Sequence, residues 1–404
     1  MAKNKKKKKW LKFRHAVVRN VLSFFLTPYS KIKYGIKVQR FKEQQKRPYL
    51  ILFNHQTAFD QFFVGMAFHG PVYYVASEDL FSNGALSSLI RYLVAPIPIK
   101  KQTTDVGAVL TCIRVAKEGG TIAIAPEGNR TYSGKTGYMG EAIAPLARKL
   151  GLPIALFRIE GGYGVHPRWS DVVRRGKMRA GVSRVIYPEE YKNMTDTELF
   201  DAISTELYVD ESCKCGSFKH KKRAEYVERA IYTCPFCSLS EIESHGSIIE
   251  CKKCGRKVEY TEEKQLRGIG FDFPFENLSD WYDYQSELVN SLCPTDYTEK
   301  AISSDTVTVK EVIPYKRKRK LLKDVTLKLY GDRIEVSDKG TWRIDFDKAS
   351  AFTVLGKNKL NLYLDGAIYQ FKGTKRFSAL KYVQIFHRYD NVKKGDANGK
   401  FLGL

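Results

Sequence analysis

The chain has 404 residues, 43% of them hydrophobic, with 30 Gly and 14 Pro, too long for one ordinary domain and too apolar for a disordered chain. Lys and Arg outnumber Asp and Glu by 68 to 44, a net charge of +24, which points to a polyanionic partner: nucleic acid, an anionic membrane surface or a phosphorylated substrate. Eight Cys, six of them between Cys213 and Cys254, exclude a disulfide-dense secreted scaffold and read as metal binding in a reducing compartment.

Residues 1–42 hold 14 Lys or Arg, and the first carboxylate is Glu43. Within this segment Trp10, Phe13, Val17, Val21 and Phe24 recur at helical spacing, with Lys12, His15 and Arg19 on the opposite side. A helix so basic and amphipathic, with no run of about 18 apolar residues to span a bilayer, suits the interface of an anionic membrane. The expected location is therefore peripheral or monotopic, on the cytoplasmic face. No secretory signal is expected, because the basic start is not followed by a clean apolar core and cleavage site. A solvated Lys tail followed by an ordinary packing helix is the plainer alternative. Nucleic acid fits this arm less well, since Trp10, Phe24 and Phe25 ask for an apolar destination.

From residue 43 to 210 short apolar runs alternate with helical segments. Tyr49–Phe53, Val72–Ala76, Thr121–Ala125 and Ile154–Ile159 read as strands, and Thr104–Glu118 and Tyr138–Leu150 as helices closed by Gly119-Gly120 and Gly151. Met178–Tyr187 and a helix capped by Thr195 or Asp196 would complete this unit. That alternation predicts an α/β domain, a mixed sheet flanked by helices. Residues 211–262 form a cysteine-rich unit and 263–304 a connection with a helix near Leu278–Leu292. Residues 305–392 read as short strands ending in an amphipathic helix, Phe377–Tyr389, a β-rich domain of the pleckstrin-homology kind; 393–404 is a tail.

Two blocks carry chemistry. Asn54-His55-Gln56-Thr57-Ala58-Phe59-Asp60 follows an apolar strand. Histidine can take up a proton near neutrality, and a carboxylate on its other ring nitrogen fixes the tautomer and stabilises the imidazolium. Such a pair, without a nucleophilic Ser or Cys, suits a general base acting on a substrate hydroxyl. The spacing alone is a weak signal: His166-Pro167-Arg168-Trp169-Ser170-Asp171 repeats it, but without the preceding strand and Asn, and with Pro inside. The second block, Pro126-Glu127-Gly128-Asn129-Arg130-Thr131, also closes a strand, and open α/β sheets bind ligands at that edge. Arg130 offers a planar fork for phosphate, Gly128 a close backbone approach, and Glu127 a partner for a hydroxyl or for the arginine. A surface turn with an incidental ion pair is the bland alternative.

These residues resemble the glycerolipid acyltransferases typified by 1-acylglycerol-3-phosphate (lysophosphatidic acid) acyltransferase. Members carry Asn-His-x4-Asp and, later, Pro-Glu-Gly-Thr-Arg-Ser, matched here by Asn54, His55 and Asp60 and by Pro126, Glu127, Gly128 and Arg130; Leu152-Pro153-Ile154 is similar to a late strand of the family. The resemblance covers roughly residues 10–208. It implies acyl transfer from acyl-CoA or acyl-carrier protein to a lysophospholipid hydroxyl with no covalent intermediate. His55 would be the general base, Asp60 its orienting partner, and Asn54, Glu127, Gly128, Asn129 and Arg130 would bind substrate. Asn129 replaces the usual Thr. Lys100 and Lys101, also expected to bind substrate as point charges, stand where the family often has an Arg, and Met139-Gly140-Glu141 where many members have Lys-Gly-Ala. These departures leave the acceptor open: another lysophospholipid, or glycerol 3-phosphate. From another class, a zinc-ribbon scaffold with an inactive core, binding lipid or nucleic acid, is the rival.

Cys234-Pro-Phe-Cys237 and Cys251-Lys-Lys-Cys254 are Cys-x2-Cys knuckles separated by 13 residues, the spacing of a four-thiolate structural zinc ribbon; a redox dithiol or an iron–sulfur site are the alternatives. In so short a unit the metal stands in for a core. Cys213 and Cys215 suit free thiols, and Cys112 a core position. No catalytic cofactor is expected.

Overall fold

The computed structural model describes residues 9–42, 48–99, 105–212, 216–313 and 315–395. Most of the N-terminal Lys run, Lys100, Lys101, Cys213, Cys215 and most of the final tail lie outside them. Helix α1 (Phe13–Tyr34) leads into β1 (Ile36–Val38), and β2 (Leu50–Phe53) into α2 (Asp60–Ala67). There follow β3 (Val72–Ser77), α3 (Ala85–Val94), β4 (Ile97–Ile99), α4 (Val106–Lys117) and β5 (Thr121–Ile124). Next come α5 (Ile143–Leu150), β6 (Ile154–Glu160), the single turn α6 (Gly162–Val165), β7 (Met178–Ile186), the short α7 (Pro188–Tyr191) and α8 (Asp196–Leu207). Together the strands form a seven-stranded sheet in the order β1-β7-β6-β2-β5-β3-β4, in which β6 and β7 pair antiparallel and the other neighbours parallel. β2 is central and fully buried, as a short continuous apolar run in a parallel sheet should be. Thr195 caps α8 by accepting from the Glu198 N–H, and Glu198 reaches back in a capping box.

α5 starts at Ile143 and not at Tyr138, because Gly140 and Glu141 sit in an irregular stretch that the apolar spacing alone does not reveal. α1 runs 22 residues from Phe13, with Pro28 inside it. Among the described residues no helix is long and apolar enough to cross a membrane. Its apolar stripe points outward: Phe13 is 87% and Phe24 75% exposed, and Val17, Val21, Phe25 and Ile32 are exposed with them. The opposite side packs inward. His15 is buried with its Nδ1 3.1 Å from the Tyr73 hydroxyl, and Arg19 donates to the carbonyls of Gly65 and Phe68. Trp10 departs from the expected stripe. It precedes the helix, its indole donates to the Ala95 carbonyl, and its backbone N–H and that of Leu11 donate to Glu118.

The cysteine-rich unit contains a two-stranded ladder, β8 (Thr233–Cys234) with β9 (Ser238–Leu239). Beside it lies an antiparallel sheet of β10 (Ile242–His245), β11 (Ile248–Cys251), β12 (Lys257–Tyr260) and β13 (Leu266–Gly268). After α9 (Leu278–Ser291) come β14 (Ser303–Glu311), β15 (Arg319–Leu329), β16 (Arg333–Ser337), β17 (Thr341–Asp345), β18 (Ala349–Leu355), β19 (Lys359–Leu364) and β20 (Ala367–Gly373). These seven form one antiparallel sheet, order β17-β16-β15-β14-β20-β19-β18, and α10 (Ala379–Lys393) packs against it through Phe386 on Phe352, ring centroids 4.8 Å apart. β18 opens on Ala349-Ser350-Ala351, without β-branched or aromatic residues, and carries a strand signal only from Phe352 on. One apolar cluster runs from Tyr132, Tyr163 and Trp169 through the cysteine unit into this last sheet.

Candidate active site

β2 and β5 are parallel neighbours in register, Leu50 beside Ile122 and Leu52 beside Ile124, so the segments leaving their carboxyl ends emerge side by side. The first carries His55, the second Glu127 to Arg130. The two turns are tied together: the His55 N–H donates to Glu127 Oε1 (2.6 Å) and the Thr131 N–H to the His55 carbonyl (3.2 Å).

Asp60 opens α2 and is fully buried. It accepts from the backbone N–H groups of Gln56 and Thr57 and from the Thr57 hydroxyl, and its Oδ2 lies 2.8 Å from His55 Nδ1. With Nδ1–H held by the carboxylate, the lone pair of Nε2 is left for chemistry. The imidazole keeps 25% of its surface exposed. Its pKa is below the ordinary histidine value, because burial outweighs the raising effect of Asp60 and nearby Arg130 and Arg168 add to the lowering. At neutral pH His55 is therefore a neutral base with an oriented carboxylate behind it.

Glu127 and Asn54, expected to bind substrate, both hydrogen-bond backbone groups. Both Glu127 oxygens accept backbone N–H groups, of His55 and of Gly137 (2.7 Å), and burial pushes its pKa up to about 8. The Asn54 amide exchanges two hydrogen bonds with the Ile159 backbone, 2.7 and 2.8 Å, imitating a ladder pair between β2 and β6. These side chains lock the two turns to the sheet. Gly128 has φ +63° with open space around it, so its backbone conformation, not crowding, calls for glycine. Asn129 accepts from Arg168. Arg130 has an enclosed Nη1 with no partner among the described residues, and burial together with Arg168 lowers its pKa to about 10.

The other His-x4-Asp stretch comes apart. His166 is buried against the Tyr34 hydroxyl, 3.4 Å away, and its pKa falls to about 3, mainly through burial. Asp171 is held by Arg229 (2.8 Å) and Lys357 (3.0 Å). The sequence offered no signal for Arg168, which is 2% exposed, nor for Glu211, whose side chain accepts from Gly161 and Gly164 at the end of β6.

The four knuckle cysteines converge, all four Sγ atoms lying within 4.8 Å of one another. Cys234 and Cys254 are 3.9 Å apart, far beyond the roughly 2.05 Å of a disulfide and close to the edge of a tetrahedron of about 2.3 Å metal–thiolate bonds. The knuckles mirror each other: the residue after the second Cys of each, Ser238 and Gly255, has positive φ, +64° and +72°. This cluster could hold a metal ion.

A His–Asp pair and an Arg-bearing turn thus stand at adjacent strand ends of a mixed α/β sheet, and residues 35–159 match the Acyltransferase family model. The chain is similar to two 1-acylglycerophosphate acyltransferases. It is 20% identical over 179 residues to the chloroplastic 1-acyl-sn-glycerol-3-phosphate acyltransferase BAT2 of Brassica napus, a match covering 44% of this chain and 51% of that one. It thus spans about half the length of this curated relative. A solved structure, the 1-acyl-sn-glycerophosphate (LPA) acyltransferase PlsC from Thermotoga maritima, aligns with 47% of this chain and 78% of its own, at 20% identity and TM-score 0.39.

Proposed function

We propose that the protein transfers a fatty acyl group from acyl-CoA or acyl-carrier protein to the free hydroxyl of lysophosphatidic acid, giving phosphatidic acid. The observation that carries this reading is the His55–Asp60 pair: a solvent-reachable, neutral imidazole oriented at 2.8 Å by a buried carboxylate, with Arg130 on the adjoining turn. His55 Nε2 takes the proton of the acceptor hydroxyl as its oxygen attacks the thioester carbonyl. The carbon–sulfur bond then breaks, and the imidazolium returns the proton to the leaving thiolate. Asp60 keeps the tautomer and stabilises the transient cation. Arg130 binds the acceptor phosphate with its unpartnered Nη1, while Glu127 and Asn54 act as struts for the two turns.

α1 supports a place on an anionic membrane surface. Its apolar stripe is exposed, and Lys31, Lys33, Lys37 and Arg40 are exposed at its end, the arrangement of an interfacial helix. Tyr29 and Tyr34 of α1 touch Phe59, the residue before Asp60, at ring distances of 5.9 and 5.0 Å, which sets the lipid-facing helix beside the site. Cys234, Cys237, Cys251 and Cys254 hold a structural zinc ion, which would cross-link the two knuckles; no catalytic cofactor is required.

A thiol-release assay with acyl-CoA and lysophosphatidate tests the reaction: release by the wild type and its loss in His55→Ala are expected, and a wild type silent with every lysophospholipid would refute it. Metal analysis tests the cluster, with about one zinc per chain in the wild type and less, together with lower solubility, in Cys237→Ser. A metal-free variant with unchanged solubility would overturn the structural role.

A further inference from the structure

We infer that Arg168 is a positioning residue for the anion site and that the C-terminal sheet, through the β18–β19 hairpin, is part of that site, fitting it to a phosphate monoester. This rests on the acyl-transfer reading above.

Arg168 lies outside the segment that matches the family model, and its guanidinium reaches two distant parts of the chain. Nη1 donates to the Arg130 carbonyl (3.0 Å), and Nη2 to Asn129 Oδ1 (3.3 Å) and the Val354 carbonyl (3.1 Å). Nε donates to the Gly356 carbonyl (3.3 Å). The Arg168 Cζ also lies 4.4 Å from the centroid of the Tyr132 ring. Arg168 therefore staples the Asn129-Arg130 turn to the tip of the β18–β19 hairpin, and the backbone from which the Arg130 side chain springs cannot shift without breaking that staple.

All its acceptors are neutral. Among the described residues this buried guanidinium has no carboxylate partner, and Arg130 beside it has an enclosed, unpartnered Nη1. Lys357, next along the hairpin, adds a third cation. The carboxylate within its reach, Asp171, is already shared with Arg229. Buried positive charge without compensation is costly, and an arriving anion removes that cost. A phosphate monoester, close to dianionic at neutral pH, relieves it more than a singly charged phosphodiester. The site is thus short of negative charge in a way that the acceptor headgroup can correct.

The test uses the full-length protein. Thiol release is measured against lysophosphatidate and lysophosphatidylglycerol, a monoester and a diester, for the wild type, Arg168→Met and Arg168→Lys. The wild type should prefer the monoester. Arg168→Met should raise the KM for lysophosphatidate by about ten-fold, the loss expected of a charge-assisted contact. Its kcat should stay within about three-fold and the acyl-donor KM should not move, so that the preference disappears, and Arg168→Lys should recover part of it. Falls in kcat and melting temperature together with comparable rises in both KM values would mark a merely structural residue and overturn the proposal, as would an unchanged lysophosphatidate KM. If the wild type releases no thiol with any lysophospholipid, the acyl-transfer reading fails first. Inorganic phosphate then serves as the probe: it should raise the melting temperature of the wild type and not of Arg168→Met, and an equal response in both would refute the anion site itself.

Discussion

His55-x4-Asp60 and His166-x4-Asp171 share a spacing and have opposite fates. The first follows a buried central strand and opens a helix, so the carboxylate turns back onto the imidazole and is locked by the N–H groups of residues 56 and 57. The second leaves the turn α6, passes through Pro167, and sends its two ends different ways. The imidazole goes toward Tyr34, and the carboxylate toward cations from the cysteine unit and the C-terminal sheet. Five residues of separation permit a dyad; a strand end followed by a helix start creates one.

The largest contrast should be in turnover. Asp60→Asn leaves the imidazole with the wrong tautomer and should cut kcat by about 10²- to 10⁴-fold, whereas Asp171→Asn should leave kcat within about three-fold. Comparable losses in both would erase the distinction. The second pair matters for stability. Asp171→Asn leaves the buried Arg229 short of its carboxylate and should lower unfolding free energy by about 2 kcal/mol, less than a fully buried pair because Asp171 is one-third exposed. Hydrogen bonding and charge from Arg229 and Lys357 hold the Asp171 pKa down to about 2, against burial that acts the other way. A depressed folded-state value contributes stability at neutral pH that is lost as pH falls below about 4 toward 2, so the Asn variant should flatten the acid limb of the melting-temperature profile.

The pH–rate profile sharpens the comparison further. Because His55 sits below its ordinary value, kcat/KM should rise on the acid side at a pKa under about 6.5 and be level by neutrality. Arg168→Met removes a cation that lowers it, so the limb should move to higher pH, while His166→Ala should not move it, His166 being neutral well below that range. A limb that follows residue 166 would reverse the assignment. The smallest expected effect is on stability at the outward face of α1. Phe13→Ser should change unfolding free energy by no more than about 0.5 kcal/mol yet reduce flotation with anionic vesicles; unaltered flotation would detach that face from lipid.

The sheet, the His–Asp pair and the converging cysteines were legible because each is local: an apolar run, a fixed spacing, a repeated knuckle. α1 was half legible. Its period showed an apolar stripe, but not that His15 and Arg19 would find polar partners inside and leave Phe13 and Phe24 outside. The backbone partners of Glu127 and Asn54 were not legible, since a motif does not say which N–H groups or carbonyls its side chains will meet. Arg168 was invisible, because its acceptors at 354 and 356 lie almost 190 residues away and no periodicity records such a meeting.

The unbroken apolar cluster that joins Tyr132, Tyr163 and Trp169 to the later sheets has a practical outcome for anyone dissecting the molecule. Cutting after residue 210 would strip the cover from three large rings and invite clumping, so the part bearing the histidine should not survive as a well-behaved fragment. Composition marks boundaries along the chain at which cooperativity need not stop.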